Sequence, residues 1–261
     1  MPRFAANLSM LFTEYPLLER FERAAAAGFT AVEFLFPYDE NVPEIRKALQ
    51  RNGLQQVLFN LPAGDFAKGD RGIANDPRRV DEFKAGVAEA LEIASTLGCP
   101  RLNCLAGVAL PDVPFATQKE TLFANLAYAA EQAQSAGVLQ LIEPLNYYDA
   151  PNFMVPTLPR AHEVIWRVGH SNLKLQFDFY HQQRMNGNLT VAFTKYLSDV
   201  EHVQIADSPN RNQPGTGEIH YPYVLKAIDE SGYDGWVSLE YRPLGTTEES
   251  LSWLREWGYW P

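Results

Sequence analysis

Short apolar runs alternate with longer amphipathic segments eight times along the 261-residue chain, and this alternation limits the fold more than any other feature. The predicted strands cover 3–7, 30–36, 54–60, 100–105, 138–143, 172–178, 200–206 and 236–241. The predicted helices lie near 14–27, 42–52, 77–97, 115–136, 158–168, 189–197, 221–231 and 246–257. A repeated strand–helix unit predicts parallel strands, and eight such units favour closure into a barrel. We therefore predict an α/β protein with a single (β/α)8 barrel.

Glycine residues mark the ends of several predicted helices, as in AAAAGFTAVEF, LQRNGLQQVLF and AQSAGVLQLIE. A glycine just past a helix adopts the left-handed backbone conformation that caps it. No linker rich in proline, serine or glycine interrupts the alternation, which predicts one domain over residues 1–261. No glycine-rich phosphate motif follows the first strand, and its absence argues against a dinucleotide-binding domain.

The formal net charge of -10 limits the choice of partners. An acidic protein repels phosphate backbones and anionic lipids, so we expect neither a nucleic acid nor a membrane as partner. The segment MPRFAANLSMLFTEY carries one basic residue and an interrupted apolar stretch, which argues against a signal peptide. No apolar run approaches the roughly 18 residues of a membrane span. We expect a cytoplasmic protein whose Cys99 and Cys104 are reduced and buried.

Three carboxylates close predicted strands in the second half of the chain. Glu143 in VLQLIEPLN, Asp178 in LKLQFDFYH and Glu240 in WVSLEYRP each follow a mostly apolar run. Reactive groups in a barrel lie at the C-terminal ends of its strands, so these side chains should share one ring with Gln204. Asn7 ends the first strand and is a candidate substrate contact. Buried carboxylates need partners, and oxygen ligands favour one hard divalent ion, Mg²⁺ or Mn²⁺. The alternative is that each carboxylate pairs with a basic residue or caps the following helix.

Loops after three predicted strands supply further candidate substrate contacts. Arg211, in IADSPNRNQPGTGEIHY, is a candidate anchor for a carboxylate, since a guanidinium binds one bidentately. His181 follows Asp178 by three residues and, on the first turn of a helix, would donate a hydrogen bond to a substrate oxygen. Arg71 and Lys68, in the long loop after the third strand, would help to neutralise an anionic substrate. The alternatives are an arginine in an ordinary surface turn, a core histidine and a solvated loop.

The chain resembles the hydroxypyruvate isomerase family of the xylose isomerase-like TIM-barrel superfamily over essentially its full length. The segments that carry the resemblance are FAANLSMLFTEYP, AGFTAVEFLFPYD, NLPAGDFAKGDRGIA, LNCLAGV, LIEPLNYYD, LKLQFDFYHQQRMNG, HVQIADSPNRNQPGTGEIHY and GWVSLEYRP. The resemblance implies four metal ligands, Glu143, Asp178, Gln204 and Glu240. It also implies that Glu143 and Glu240 move the proton.

The resemblance also gives expectations about the substrate. Related sugar epimerases have a histidine where Gln204 stands, so the amide looks like the hydroxypyruvate isomerase branch. His181 and Arg211 match residues that hold the substrate, and Asp149 matches an acidic residue near the terminal hydroxyl in the epimerases. The full set of expected substrate contacts is His181, Arg211, Asp149, Asn7 and Arg71.

The expected activity is the interconversion of hydroxypyruvate and 2-hydroxy-3-oxopropanoate through an enediolate, in glyoxylate and carbohydrate-acid metabolism. The alternatives are isomerisation of a 2-oxotetronate, 3-epimerisation of a ketose, a metabolite-binding barrel without turnover, and a phosphodiesterase of the endonuclease IV type. Five scattered histidines and the acidic charge argue against the last of these.

Two groups of residues leave structural alternatives open. His162, His170 and His202 are predicted to be structural or exposed. The aromatic residues near the C-terminus are candidates either for a homo-oligomer interface or for packing against the barrel: Trp253, Trp257, Tyr259 and Trp260.

Overall fold

Nine short strands carry the sheet structure of residues 1–260, the part of the chain that the computed structural model describes. Most of their residues are buried, as expected for parallel strands with both faces covered. The strands are β1 (Arg3–Asn7), β2 (Ala31–Glu33), β3 (Gln55–Gln56), β4 (Phe59–Asn60), β5 (Arg101–Cys104), β6 (Leu139–Ile142), β7 (Leu173–Asp178), β8 (Val200–Ile205) and β9 (Trp236–Leu239).

The α-helices follow the strands in chain order. Several end at a glycine as predicted, and Gly28 and Gly53 have φ angles of 108° and 63° while their N–H groups donate to the last turn. The helices are α1 (Leu17–Ala27), α2 (Val42–Asn52), α3 (Val80–Leu97), α4 (Phe115–Ser135), α5 (Leu158–Val168), α6 (Phe179–Met185), α7 (Leu189–Tyr196), α8 (Tyr221–Glu230), α9 (Thr247–Ser250) and α10 (Ser252–Glu256). Short 3-10 turns cover Phe66–Lys68 and Leu197–Asp199.

The described residues divide into two compact units. Unit 1 comprises 1–35, 40–57 and 177–260. Its strands run in the order β3-β2-β1-β9-β8, and their pairings are parallel. Asn7 pairs with Glu33 in register, and the Glu240 N–H donates to the carbonyl of Ile205. The C-terminal ends of β1, β2, β8 and β9 therefore lie along one edge of unit 1.

Unit 2 comprises 36–39 and 58–176. Its strands run in the order β7-β6-β5-β4, all parallel, with α3, α4 and α5 as helices. Asn60 pairs with Asn103, and Cys104 pairs with Ile142. Because Glu143 directly follows Ile142, these registers place Asn60, Asn103 and Glu143 at the same edge of unit 2. The prediction of one domain over 1–261 stays a prediction.

Three details of the predicted elements were wrong. The predicted strand 54–60 divides into β3 and β4, since β3 pairs with β2 whereas β4 pairs with β5. The predicted helix 246–257 is two short helices, of which α9 begins with a capping box between Thr246 and Glu249. Helix α6 was not among the predicted helices, although the interpretation of His181 assumed a helical turn there.

The C-terminal aromatic residues pack within unit 1. Trp253 is buried and meets the Phe4 ring edge to face at 5.6 Å, and Tyr259 meets the same ring at 5.3 Å. Trp260 packs on Phe29 at 4.8 Å. These contacts favour the packing alternative for this segment. Both cysteines are buried free thiols, as predicted.

Within residues 1–260, no helix combines the length and the apolar character that crossing a membrane needs.

Candidate active site

Asp178 ends β7 and begins α6 in unit 1. Its Oδ1 accepts hydrogen bonds from the backbone N–H groups of Tyr180 at 2.7 Å and His181 at 3.4 Å, so it is the N-cap of α6. Its Oδ2 lies 3.8 Å from an Arg211 guanidinium nitrogen. The prediction that this carboxylate caps the following helix therefore holds for Oδ1, whereas Oδ2 faces the guanidinium of Arg211.

Glu240 follows β9 and is buried at 4% exposure. The Arg211 guanidinium donates to its Oε2, and Asn7 donates to its Oε1 at 3.3 Å. Burial raises the pKa of Glu240 to about 8, and the charges of Asp178 and Glu33 add to this rise against the effect of Arg211. The Arg211 group, defined as Asp178, Glu240 and Arg211, thus holds two buried carboxylates that share one guanidinium.

His181 lies on the first turn of α6, as the sequence indicated. It is buried at 3% exposure, and its Nε2 is 3.5 Å from Asp178 Oδ2. Burial, helped by the charge of Arg211, lowers the pKa of His181 well below its usual value. The imidazole is therefore neutral at pH 7 and offers a lone pair as well as one N–H.

A third buried carboxylate in unit 1 was not predicted to have a role. Glu33 ends β2 and accepts hydrogen bonds from His202 Nε2 at 2.7 Å, Gln204 Nε2 at 2.8 Å and Asn7 Nδ2 at 2.8 Å. We call these four residues the Glu33 network. His202 is fully buried, in line with its structural interpretation. The signal that could have found the network is spacing, since His202 and Gln204 are two residues apart on β8 and therefore share a face.

The loop after β8 carries Arg211 and is organised by Asp207, which is 1% exposed. The carboxylate of Asp207 accepts five backbone N–H groups, those of Ser208, Gly215, Thr216, Gly217 and Ile219. Its own carbonyl accepts the N–H of Arg211, which has a φ angle of 60°. A Cβ on Gly217 would lie 2.0 Å from the carbonyl oxygen of Ser208, so this position requires glycine.

In unit 2, the buried Glu143 directly follows β6. Its Oε2 accepts a hydrogen bond from Asn103 Nδ2 at 3.0 Å, and the same amide donates to Asn60 Oδ1 at 3.1 Å. The carbonyl of Asn60 accepts the Tyr38 hydroxyl at 2.6 Å. The structure thus orients Glu143 through a chain of amides at the ends of β4 and β5.

Two further predicted substrate contacts lie in loops of unit 2. Asp149 is exposed, and its Oδ2 accepts a hydrogen bond from Asn146 Nδ2 at 3.0 Å. Arg71 donates to the carbonyls of Asp70 at 2.7 Å and Phe66 at 3.3 Å, and its guanidinium lies 4.5 Å from the centre of the Phe66 ring. Both side chains are therefore oriented by neighbours in their own loops.

Each unit carries buried donor atoms of the kind that a divalent metal ion binds. Glu143 in unit 2 and Asp178 and His181 in unit 1 are buried and carry atoms of the kind that hold metal ions. Unit 1 also holds the buried oxygen donors Glu240 and Gln204, and burial raises the pKa of Glu240. This chemistry is compatible with a bound cation.

Comparison with known proteins places the chain in a family. A family model described as xylose isomerase-like TIM barrel matches residues 21–257. The chain is 48% identical over 254 residues to the hydroxypyruvate isomerase of Escherichia coli (strain K12), with 97% of this chain and 98% of that protein covered. It is 44% identical over 255 residues to a 2-oxo-tetronate isomerase of Cupriavidus necator, with 98% of each covered. The chain belongs to the xylose isomerase-like TIM barrel family, and the predicted (β/α)8 fold and the resemblance to hydroxypyruvate isomerases are confirmed.

Solved structures agree with this fold. A crystal structure from Brucella melitensis, described as AP endonuclease, family 2, has a TM-score of 0.95 and 42% identity, with 98% of this chain and 99% of that chain covered. The 3-keto-D-glucoside 4-epimerase of E. coli has a TM-score of 0.81 at 23% identity over 98% of this chain and 99% of that chain, and it supports the fold alone.

Proposed function

We propose that the chain is a divalent-metal-dependent isomerase that interconverts hydroxypyruvate and 2-hydroxy-3-oxopropanoate. The observation that carries the proposal is the Arg211 group, in which two buried strand-end carboxylates share one guanidinium. Such a group suits a substrate that brings its own negative charge together with a metal ion. The 48% identity to a hydroxypyruvate isomerase supports the same reaction.

The proposed ligands of the metal are Glu143, Asp178, Gln204 and Glu240. All four are buried and offer oxygen, the donor that Mg²⁺ and Mn²⁺ prefer. One bound ion would supply Lewis-acid stabilisation of negative charge on the substrate oxygens. Their positions at strand ends agree with the place of reactive groups in a barrel.

The proton steps belong to the two glutamates. One carboxylate of the pair Glu143 and Glu240 removes a proton from C3 of hydroxypyruvate, which leaves an enediolate. The other delivers a proton to C2, and the hydroxyl proton on O3 passes to O2. The product is the aldehyde with a C2 hydroxyl, so atoms and charge balance. General acid–base steps of this kind contribute about 10²–10⁴-fold each.

The substrate carboxylate needs a cation in this acidic protein. Arg211 is the proposed anchor, because a guanidinium can bind a carboxylate bidentately. Arg71 is the second proposed cation, and its fixed position against Phe66 limits the entropy that binding costs. The neutral His181 would donate to a substrate oxygen, and Asn7 and Asp149 are proposed contacts for the remaining polar groups.

A longer acid is a second candidate substrate. The 44% identity to a 2-oxo-tetronate isomerase favours it, and the proton chemistry is the same. The two acids differ by one hydroxymethylene group, so discrimination depends on pocket length. Free ketoses, which lack the carboxylate, would leave the proposed anchors Arg211 and Arg71 without a role.

The Brucella melitensis structure is described as an AP endonuclease, and similarity to it favours a different candidate, a phosphodiesterase acting on DNA. The net charge of -10 disfavours binding to a phosphate backbone. A metabolite-binding barrel without turnover would bind metal and acid but give Glu143 and Glu240 no proton to move. Both candidates are separated from the isomerase by assays on the same preparation.

The test is turnover in heavy water with Mg²⁺ or Mn²⁺, with hydroxypyruvate and 2-oxotetronate in parallel, followed by proton NMR. Wild type should incorporate solvent deuterium into product, and Glu240→Gln should lose at least about 10²-fold in turnover. Glu230→Gln is the matched control, since Glu230 lies on α8 and pairs with Lys226 at 3.7 Å on the surface. Full activity of Glu240→Gln, or cleavage of abasic DNA without turnover of either acid, would refute the proposal.

A further inference from the structure

Glu33 is deeply buried, and three side chains donate hydrogen bonds to its carboxylate. It is 1% exposed, and its two oxygens accept from an imidazole and two amides, all at 2.7–2.8 Å. Burial raises the pKa of Glu33, but the His202 imidazole and the hydrogen bonds from His202 and Gln204 outweigh it and lower the pKa overall. Glu33 is therefore a fixed carboxylate whose acceptor positions are occupied by protein groups.

The hydrogen bond from Gln204 determines which way its amide faces. Gln204 Nε2 donates to Glu33 Oε1 at 2.8 Å. An amide group is planar, with its oxygen and nitrogen on opposite sides of the terminal carbon. While Nε2 is directed at Glu33, Oε1 must face away from it. Only this oxygen can bind a metal ion, because the NH₂ group of an amide has no lone pair to donate.

Asn7 extends the same control to Glu240. Its Nδ2 donates to Glu33 Oε1 at 2.8 Å and to Glu240 Oε1 at 3.3 Å, while its Oδ1 accepts the N–H of Ser9 at 3.0 Å. Both hydrogens of the amide are thus in use, and the amide cannot turn over without losing three contacts. One oxygen of Glu33 therefore fixes Gln204 directly and Glu240 through Asn7.

We propose that Glu33 is a positioning residue for the metal site, which holds the amide of Gln204 with its oxygen toward the ion and aligns Glu240 through Asn7. The inference rests on the proposed ligand role of Gln204. Glu33 itself touches neither metal nor substrate. It acts as the outer partner that orients a ligand, and such partners typically contribute about 10- to 100-fold to metal affinity.

The substitution Glu33→Gln preserves shape and removes one acceptor. If the oxygen of the new amide keeps the bond with His202, the NH₂ group of that amide faces the NH₂ group of Gln204. Two donors cannot pair, so Gln204 must turn its amide over and present NH₂ toward the other ligands. We expect the dissociation constant for Mn²⁺, measured by calorimetry, to rise about 10- to 100-fold.

The matched control is Glu14→Gln. Glu14 also accepts two hydrogen bonds, from the backbone N–H and the hydroxyl of Thr247, and bonds to none of the proposed ligands. Its Mn²⁺ affinity should stay within about twofold of wild type, well below the effect expected at Glu33. Thermal unfolding of the metal-free variants separates a loss of affinity from a loss of folded protein.

Exchanging the donor and the acceptor between residues 33 and 204 distinguishes a hydrogen-bonding role of Glu33 from a space-filling role. Gln204→Glu alone places two carboxylates within hydrogen-bond distance, so it removes the hydrogen bond to Glu33 while it adds a charge to the proposed ligand. In the double variant Glu33→Gln/Gln204→Glu, the amide of residue 33 donates to the carboxylate of residue 204, so the hydrogen bond re-forms with opposite polarity. The Asn7 bond to residue 33 is lost in the single variant Glu33→Gln and in the double variant, and this loss cancels. The added charge at residue 204 strengthens Mn²⁺ binding by itself, but it cancels in the cycle of four proteins. The product of the Mn²⁺ association constants of wild type and the double variant should exceed the product for the two single variants at least about tenfold.

The outcomes separate the two proposals. If wild type binds no divalent ion, the proposed function fails. If wild type and Glu33→Gln bind Mn²⁺ equally, the positioning role is wrong and the metal site stands. If the effects of the two single substitutions on Mn²⁺ affinity simply add in the double variant, or if the double variant fails to fold, the role is also wrong. If Glu33→Gln does not fold, a folded double variant with Mn²⁺ affinity near wild type supports the role.

Discussion

The Glu33 network and the Arg211 group each contain a buried glutamate in unit 1, yet the pKa values of these two glutamates are shifted in opposite directions. Glu33 is saturated with donors, and its pKa lies below the usual range. Glu240 has a pKa of about 8, because burial outweighs the help it receives from Arg211. Protein groups donate hydrogen bonds to both oxygens of Glu33, which suits a structural role. Glu240 lacks a matching positive charge, which suits a chemical role.

Removal of metal should have the largest effect, and within the Glu33 network it should reach only Gln204, which is a proposed ligand. Because the proposed ligands stabilise developing charge through the ion, chelation should lower turnover by about 10³-fold or more. The Glu33 network is built from protein groups, so the near-ultraviolet circular dichroism should persist. Added Mn²⁺ should restore activity. Unfolding upon chelation would show that both regions depend on the ion.

His202→Phe should break the Glu33 network. The substitution removes the donor at 2.7 Å and leaves a buried carboxylate without its imidazole partner, at a cost of about 3–5 kcal/mol in the free energy of unfolding. Urea denaturation measures the loss. His162→Phe, at an exposed position of α5, should change stability by less than about 0.5 kcal/mol. Equal effects of the two substitutions would remove the basis for the comparison.

Asp207→Asn tests a third buried carboxylate, which accepts its hydrogen bonds from backbone N–H groups. An amide cannot accept all five N–H groups, so we expect a loss of about 1–3 kcal/mol in the free energy of unfolding. The KM for the acid should rise, since the same loop carries Arg211. Asp234→Asn, at an exposed position between α8 and β9, is the control. A variant with wild-type stability and KM would show that the loop does not need this carboxylate.

Arg211→Met should have the smallest effect of these four changes. The direction in which it shifts Mn²⁺ affinity is the informative result. The guanidinium contacts both Asp178 and Glu240, so it competes with a cation for the same charge. Its removal should tighten Mn²⁺ binding about tenfold, or ~1.4 kcal/mol, while turnover falls because the substrate loses its anchor. Weaker Mn²⁺ binding in this variant would mean that Arg211 supports the ion instead.

Element positions were predictable where a regular pattern is bounded by clear signals. The segments 3–7, 42–52 and 158–168 have the predicted bounds, and α2 and α5 both begin at capped residues and end at glycine. Helix α6 was missed because its seven residues are too few to show a period. The break between β3 and β4 depends on which neighbour each half pairs with, and local sequence does not encode it.

The positions of the site residues were predictable, but their partners were not. Carboxylates after apolar runs mark strand ends, so Glu143, Asp178 and Glu240 could be placed from the sequence. The bond between Glu33 and His202 joins residues 169 positions apart and follows from strand order in the folded sheet. His202 was accordingly interpreted without its partner, and Glu33 received no role.

The hydrogen bonds that Asp207 accepts also determine how the loop after β8 exchanges its amide hydrogens. Surface loops usually exchange within the dead time of the experiment, because their N–H groups face water. Five amides in 208–219 are instead bonded to one buried carboxylate, so their deuterium uptake should be as slow as that of a strand and should change together. We therefore expect the segment that carries Arg211 to open as one cooperative unit, at a rate that determines how often the guanidinium leaves its place.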